Sequence, residues 1–349
     1  MSDATPLVTV AITTYKRPDL LRQSLESTLR QSLQEIEVFV SDNGGDEETA
    51  AVVASFGDPR VTYAPLEQNI GISGNMTRCL RLGTAPYLKI LQDDDLLLPR
   101  SLERKLQRIE ADASIGIVHT AHSVIDSAGR VIRPEVNWSL AEGDWELEGH
   151  TFVRRSLTSG VFFHISTALL RRSVVADEEF EPVGGYNDLA VWLRVASRGA
   201  RFAYIHAPLS AIREHASSAS AQQGLHELRG AAAEQAESSV VNTETFEQVK
   251  QMQFVRKQFL EHAGAQFPDR AKLWAAARRD ARKRLARVIV KDALAHHSLR
   301  RTLGRLREAS RIEPRITVSV WSAVAVAVAA GGRPAWRVIS LLASPARRY

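Results

Sequence analysis

Residues 7–31, LVTVAITTYKRPDLLRQSLESTLRQ, decide the fold. Leu7–Thr13 is an apolar, β-branched run of strand length. Pro18–Gln31 reads as a helix: its proline stands at the first helical position, where a missing N–H costs nothing, and Leu21, Leu25 and Leu29 recur at spacing four. The same unit returns downstream. Strands Ile36–Ser41, Val61–Ala64 and Tyr87–Leu91 alternate with helices Asp46–Phe56 and Ile70–Leu82. A β-α-β-α-β-α-β order with short joints predicts an α/β, Rossmann-like fold, a mostly parallel sheet with flanking helices. Ligands of such sheets sit at the carboxyl ends of the strands, so the residues following each strand are the ones that carry function.

After the first strand come Thr13-Thr14-Tyr15-Lys16-Arg17, and after the second Ser41-Asp42-Asn43-Gly44-Gly45-Asp46. Asn69-Ile70-Gly71-Ile72-Ser73-Gly74-Asn75 follows the third, and Gln92-Asp93-Asp94-Asp95 the fourth. An acid after strand two of a nucleotide-binding sheet accepts hydrogen bonds from a ribose or base. Three adjacent carboxylates repel one another unless a cation or paired donors neutralise them. Taken alone, Asp93–Asp95 suit a solvated turn before Pro99 as well as an oxygen-ligand site for Mg²⁺ or Mn²⁺. With Asp42 and the Gly71/Gly74 loop in matching places, the metal reading prevails.

Val8–Leu106 resembles an inverting family 2 glycosyltransferase of the GT-A fold. The likeness is carried by VAITTYKRPDLLRQSLESTLRQS, VFVSDNGGDEET, NIGISGNMTRCL and YLKILQDDDLLLPRSLERK, then by Tyr186–Arg194 and Arg213-Glu214-His215, in order over roughly residues 7–220. It implies a nucleoside-diphosphate sugar donor and one divalent cation, Mn²⁺ or Mg²⁺. Thr13, Tyr15 and Asp42 would hold the nucleotide with Arg17 nearby, and Asn69 and Gly71 would line the same cleft. Asp94 falls on the metal-ligand position and Asp93 beside the ribose or diphosphate, with the role of Asp95 open. Asp188, four residues before Trp192, maps to the general base, and the Arg213-x-His215 motif puts His215 on the metal or diphosphate. Two positions depart from the family pattern. Gln92 replaces the first acid of the run, and Asn187 replaces a carboxylate that would have raised the base pKa by repulsion.

Beyond residue 115 the pattern is mixed. Ile115–Asp126 and Phe162–Leu170 read as strands, Asn187–Arg198 as a helix and Phe202–Ile205 as a short strand. Trp192 reads first as core, with a sugar-stacking role as the second reading. His119, His122, His164 and His206 lie in or beside strand-like runs and read as structural. The stretch Glu135–Gly160, with Trp138, Trp145 and Phe152, is the expected acceptor side. After Ser217 the chain is Ala-rich and helical, broken near Pro268 and Pro314. The expected organisation is a catalytic domain over 1–220, split near 115 into nucleotide-sugar and acceptor halves, and a helical, basic C-terminal region over 221–349.

The 349 residues are 44% hydrophobic and 24% charged, which excludes bulk disorder, and the single cysteine, Cys79, excludes an internal disulfide framework. The net charge of +5 hides an asymmetry. Residues 270–349 hold 19 Lys+Arg against 4 Asp+Glu, leaving 26 against 36 in residues 1–269. A basic tail on an acidic body suits a polyanionic partner, here an anionic membrane surface or, as the alternative, nothing beyond a solvated face. The tail could equally pair protomers in a homo-oligomer. No zinc spacing or recognition-helix signature points to nucleic acid. The start lacks a signal-peptide pattern and no apolar run reaches 18 residues, so the expected location is cytoplasmic, peripheral at the inner face of the plasma membrane. The expected function is metal-dependent, inverting sugar transfer from a UDP- or dTDP-sugar to a glycan or lipid-linked acceptor in cell-surface polysaccharide synthesis. The alternatives are a catalytically inactive sugar-nucleotide or glycan binding module and a sugar nucleotidyltransferase.

Overall fold

The computed structural model describes residues 5–136, 143–159, 161–182, 186–214, 246–263, 266–296 and 309. Its first half follows the alternation of the sequence: β1 Val8–Thr14, α1 Pro18–Leu29, β2 Ile36–Asp42, α2 Glu47–Phe56, β3 Val61–Pro65, α3 Gly71–Cys79 and β4 Tyr87–Gln92. Next come β5 Leu96–Leu97, α4 Ser101–Glu110, β6 Ile115–Ile125, β7 Val131–Val136, β8 Trp145–Leu147 and α5 Gly149–Ser159. A 3₁₀ turn, Ile165–Thr167, leads into β9 Leu169–Arg171, α6 Arg172–Val175, α7 Asn187–Ser197 and β10 Arg201–Arg213. Two longer helices follow, α8 Phe246–His262 and α9 Arg270–His296.

One sheet runs in the order β3-β2-β1-β4-β9-β6-β10-β5, with β7 on β6 and β8 on β10. The strands β3, β2, β1 and β4 pair in parallel, as do β6 and β10. Short β9 lies antiparallel to both β4 and β6, so those two point the same way and the sheet is mostly parallel. This is the GT-A arrangement. The register brings Thr14 opposite Asp42 and Thr13 opposite both Ser41 and Gln92, which gathers three strand ends on one edge. Val10, Ile12, Val38, Val40 and Leu91 join Leu21 and Leu25 of α1 in the core. Ala11, Leu88 and Ile90 are buried on the other face, and apolar burial on both faces is what a parallel sheet sandwiched by helices requires.

Two expectations need correction. Phe162–Leu170 is not one strand: Lys89 caps the carbonyls of Ile165 and Ala168, at 3.4 and 3.1 Å, and of Ser166, folding this apolar run into the 3₁₀ turn. The strand expected over Phe202–Ile205 extends to Arg213, because β6 continues beside it as far as Ile125 with register shifts at Pro208.

The chain divides into two compact units, one of residues 1–156, 161–182 and 187–215, the other of 157–160, 183–186 and 216–349. In the second unit, Val249 of α8 packs with Ala281, Leu285 and Ile289 of α9 and with Ala309. The helix break expected near Pro268 falls between α8 and α9; the break expected near Pro314 lies outside the described residues. No helix among the described residues is long and apolar enough to cross a membrane.

Candidate active site

The edge formed by the ends of β1, β2 and β4 is acidic, and each acid is held differently. Asp42, fully buried at the end of β2, accepts from the Asp46 N–H at 3.0 Å and the Tyr63 hydroxyl at 2.6 Å, both on Oδ2. Burial, then the hydrogen bond to Asp42, pushes the Tyr63 pKa up, so the phenol stays a donor. Among the described residues nothing donates to Asp42 Oδ1. A buried acceptor without a donor is costly, and a ligand hydroxyl or N–H is a chemical match for it.

Asp93 follows β4 and is fully buried. Its Oδ2 accepts from Thr14 Oγ1 at 2.7 Å, its own N–H donates to the Thr13 carbonyl at 3.1 Å, and its Oδ1 faces Arg17 Nη2 at 2.9 Å. Asp94 Oδ2 lies 3.1 Å from Arg17 Nη1. Burial drives the Asp93 pKa upward, Arg17 opposes it, and the charge of Asp94 adds to the rise. Asp95 is raised by burial and by Asp94 as well. Its Oδ1 accepts the Arg213 N–H at 3.0 Å, so Asp95 ties the acidic turn to the end of β10.

Arg213 does not face open space. Its Nε donates to the Asp94 carbonyl at 2.9 Å, Nη1 to the carbonyls of Asp126 and Ser127, and Nη2 to Gln23 at 2.9 Å. It is a strut that sets the backbone of the acidic turn. Trp192 is fully buried, stacks on Phe163 at 4.9 Å and donates its indole N–H to the Phe163 carbonyl, which makes it core and leaves no ring face for a sugar. His215 and Trp138 lie outside the described residues. Of the expected acceptor-side aromatics, Phe152 is core, stacked on Phe202 at 4.1 Å, and Trp145 stacks on Tyr204 at 5.2 Å.

Asn69 and Gly71 build the loop before α3. Asn43, which pattern reading passed over, locks it: its Nδ2 donates to Asn69 Oδ1 at 2.9 Å and to the Gly71 carbonyl at 3.2 Å, while its Oδ1 accepts the Ile70 N–H. Gly71 holds φ +78, a left-handed conformation that glycine adopts without strain. Tyr15 lies 39% exposed with its ring edge over Gly44, where a Cβ would stand 3.0 Å from the ring.

Asp188 opens α7. Its Oδ1 accepts the Leu189 N–H at 3.0 Å and its Oδ2 the Ile165 N–H at 3.3 Å. Burial raises its pKa to about 7, with those N–H groups opposing. The adjacent Asn187 donates to Ser73 Oγ at 2.9 Å, a structural tie where a carboxylate would have had no donor role. Asp188 and the acidic turn are joined through the 3₁₀ turn: Ile165 meets Asp188, while Ser166 Oγ accepts the Gln92 N–H at 3.3 Å. His164, read from sequence as structural, is half-buried and feels the charge of Asp94, though desolvation still drops its pKa to about 4. Thr14, Asn43, Lys89, His164 and Ser166 escape a linear reading because their partners are 26 to 79 residues away. Only the hydroxyl run Thr13-Thr14 offered a signal.

No cluster of three metal-ligating side chains forms among the described residues. The residues nevertheless suit a hard cation: Asp93 and Asp94 offer carboxylate oxygens, buried together, and already drawn onto a positive group, Arg17.

Residues 9–179 match the family model described as glycosyl transferase family 2. Over 197 residues the chain is 26% identical to the chondroitin synthase of Escherichia coli, covering 56% of this chain and 27% of that protein. Over 206 residues it is 26% identical to the GalNAc(5)-diNAcBac-PP-undecaprenol beta-1,3-glucosyltransferase of Campylobacter jejuni, covering 58% and 62%. The chain thus spans less than two thirds of these relatives. Among solved structures, the mannosyltransferase PcManGT of Pyrobaculum calidifontis, in complex with GDP-Man and Mn²⁺, superposes with a TM-score of 0.50 at 18% identity, covering 94% of this chain and 87% of that one. Residues 1–349 of S. aureus TarS, in complex with UDP-GlcNAc, give 0.53 at 14% identity, covering 88% and 90%. At such identities the likeness is one of fold.

Proposed function

We propose, on the premise that residues 9–179 belong to glycosyl transferase family 2, that this chain moves a sugar from a nucleoside-diphosphate sugar to a hydroxyl of a glycan or lipid-linked acceptor, with inversion. The observation that carries the reading is Asp188, a buried carboxyl on the first turn of α7 with a pKa near 7, joined through the Ile165–Thr167 turn to the acidic edge. A group titrating there is poised to take a proton from the acceptor hydroxyl as that oxygen attacks the anomeric carbon, an effect of roughly 10²–10⁴-fold. Direct displacement by a hydroxyl on the face opposite the diphosphate inverts the centre and needs no covalent intermediate. In this reading Asp42 accepts from the nucleoside through Oδ1, Tyr15 offers its exposed ring, and Thr13, Asn69 and Gly71 shape the cleft.

Asp94, with His215, would hold Mn²⁺ or Mg²⁺, and Asp93 beside it would face the ribose or diphosphate. Bound there, a divalent cation supplies neutralisation of charge on the departing diphosphate. Support comes from the buried carboxylate oxygens of the acidic turn and from the Mn²⁺ and nucleotide sugars held by the structural neighbours. UDP and dTDP are the carriers proposed, and cell-surface polysaccharide the product class. The undecaprenol-linked substrate in the name of one relative, together with the basic α9, supports work at the inner face of the plasma membrane.

Calorimetric titration with UDP, dTDP and GDP, each with Mn²⁺ and with EDTA, tests the donor site. One nucleoside diphosphate is expected to bind in a metal-dependent way. Asp188→Asn should keep that affinity and lose roughly 10²–10⁴-fold in turnover. Unchanged turnover in the variant would remove Asp188 from catalysis, whereas donor binding by the wild type with no turnover of donor would favour a binding module.

A further inference from the structure

Asp94, the acid assigned to the cation, and its neighbour Asp93 already face a cation, and it belongs to the chain. The Arg17 guanidinium places Nη2 2.9 Å from Asp93 Oδ1 and Nη1 3.1 Å from Asp94 Oδ2, so a single planar fork spans both carboxylates. The other Asp93 oxygen is taken by Thr14. The acids are 0% and 11% exposed, whereas the Arg17 side chain is 36% exposed and has solvent on one side. Two buried like charges without a counter-ion are unfavourable, and a guanidinium fork is well matched to neutralise them.

Arg17 also hangs on a corner built to turn. Residues 15–17 belong to neither β1 nor α1. Lys16 is a non-glycine residue at φ +52, in the left-handed region, and Pro18 fixes the first helical position. A residue in that region is held by its surroundings, and such strain gathers at ligand clamps. The corner fixes where the backbone of Arg17 stands and leaves its long side chain as the movable part.

We propose that Arg17 is the resident counter-cation of the Asp93–Asp94 pair and must leave those oxygens before a divalent cation binds them. The inference rests on the metal reading of Asp94 given above. Once released, the guanidinium stays at the mouth of the cleft with its charge and donors unpaired. The diphosphate of an incoming donor is the anion able to take it up. Divalent cation and nucleotide therefore favour each other: the cation alone has to displace an arginine, and the nucleotide gives that arginine somewhere to go.

Mn²⁺ alone, titrated into the full nucleotide-free chain and followed by the electron paramagnetic resonance of free Mn²⁺, tests the displacement. Arg17→Gln is expected to bind Mn²⁺ on the order of tenfold more tightly than wild type. In EDTA it should melt at a lower temperature than wild type and regain more on adding Mn²⁺. Arg17→Lys, which keeps the charge and loses the fork, falls between, and it carries the comparison by itself if Arg17→Gln does not fold. Asp94→Asn abolishes Mn²⁺ binding. Equal or weaker Mn²⁺ binding by the Arg17 variants, with Asp94→Asn still abolishing it, overturns the inference and leaves the metal reading standing. Mn²⁺ binding that survives Asp94→Asn overturns the metal reading, and the inference with it.

Discussion

At the scale of single residues the site is a set of carboxyls pushed the same way for different ends. Asp188, Asp93 and Asp95 all have pKa values raised above the ordinary aspartate range, with burial the largest cause in each. A raised folded-state pKa means that the folded chain holds protons that the unfolded chain has released between about pH 4 and pH 7. These groups therefore cost stability as pH rises through that window, while the base function of Asp188 is gained over the same interval. Thermal denaturation in EDTA should show Asp188→Asn gaining in melting temperature relative to wild type from pH 5 to pH 8, as the wild-type carboxyl ionises in its buried place. Donor turnover should rise with an apparent pKa near 7, and Asp188→Asn should lose the rising limb. A melting-temperature difference between the two proteins that does not grow with pH would contradict the raised pKa of Asp188.

Among elements, the Ile165–Thr167 turn connects the most. Lys89, fully buried in β4, spends its amine on two carbonyls of this turn and on that of Ala168 just after it, and burial holds its pKa well below the usual lysine range. The turn in return presents the Ile165 N–H to Asp188 and the Ser166 hydroxyl to Gln92. Lys89→Met keeps the length and leaves carbonyls unpaired, at about 1–3 kcal/mol for each orphaned group. The urea midpoint should fall by the equivalent of about 2 kcal/mol or more. If the turn also positions Asp188, the pH–rate profile moves with it, which a loss of packing alone would not produce.

For the molecule as a whole, α9 is the feature the site does not use. Leu273, Ala277, Ala281, Leu285 and Ile289 form its buried stripe, while Lys272, Arg279 and Lys283 are exposed. The one acid of its middle, Asp280, is engaged by Arg256 at 3.0 Å and Arg284 at 2.8 Å. Each basic residue near an anionic bilayer contributes about 1 kcal/mol, falling off within a Debye length. Flotation with phosphatidylglycerol vesicles should carry the protein at low salt and release it at high salt. Arg279→Glu with Lys283→Glu should weaken capture. Equal flotation with neutral phosphatidylcholine vesicles would remove the electrostatic account.

The sequence by itself determined the alternation of strands and helices over residues 7–92 and which acids follow which strand. Periodicity and chain-adjacent residues such as Pro18 or Gly71 are local signals, and local signals are written along the chain. It also marked Asp42, Asp93, Asp94 and Asp188, because their surroundings in sequence resemble a family pattern. Tertiary structure alone decided how each is held. Arg17 faces two acids 76 and 77 positions away, Asn43 locks a loop 26 positions on, and Lys89 folds an apolar run that reads as a strand into a turn. Trp192 and Arg213 show the same limit from the other side, since both sit in site motifs and both spend their polar groups on the protein's own carbonyls. A side chain's role follows from what its donors and acceptors meet, and across a folded sheet those partners are set by register and burial, not by spacing along the chain.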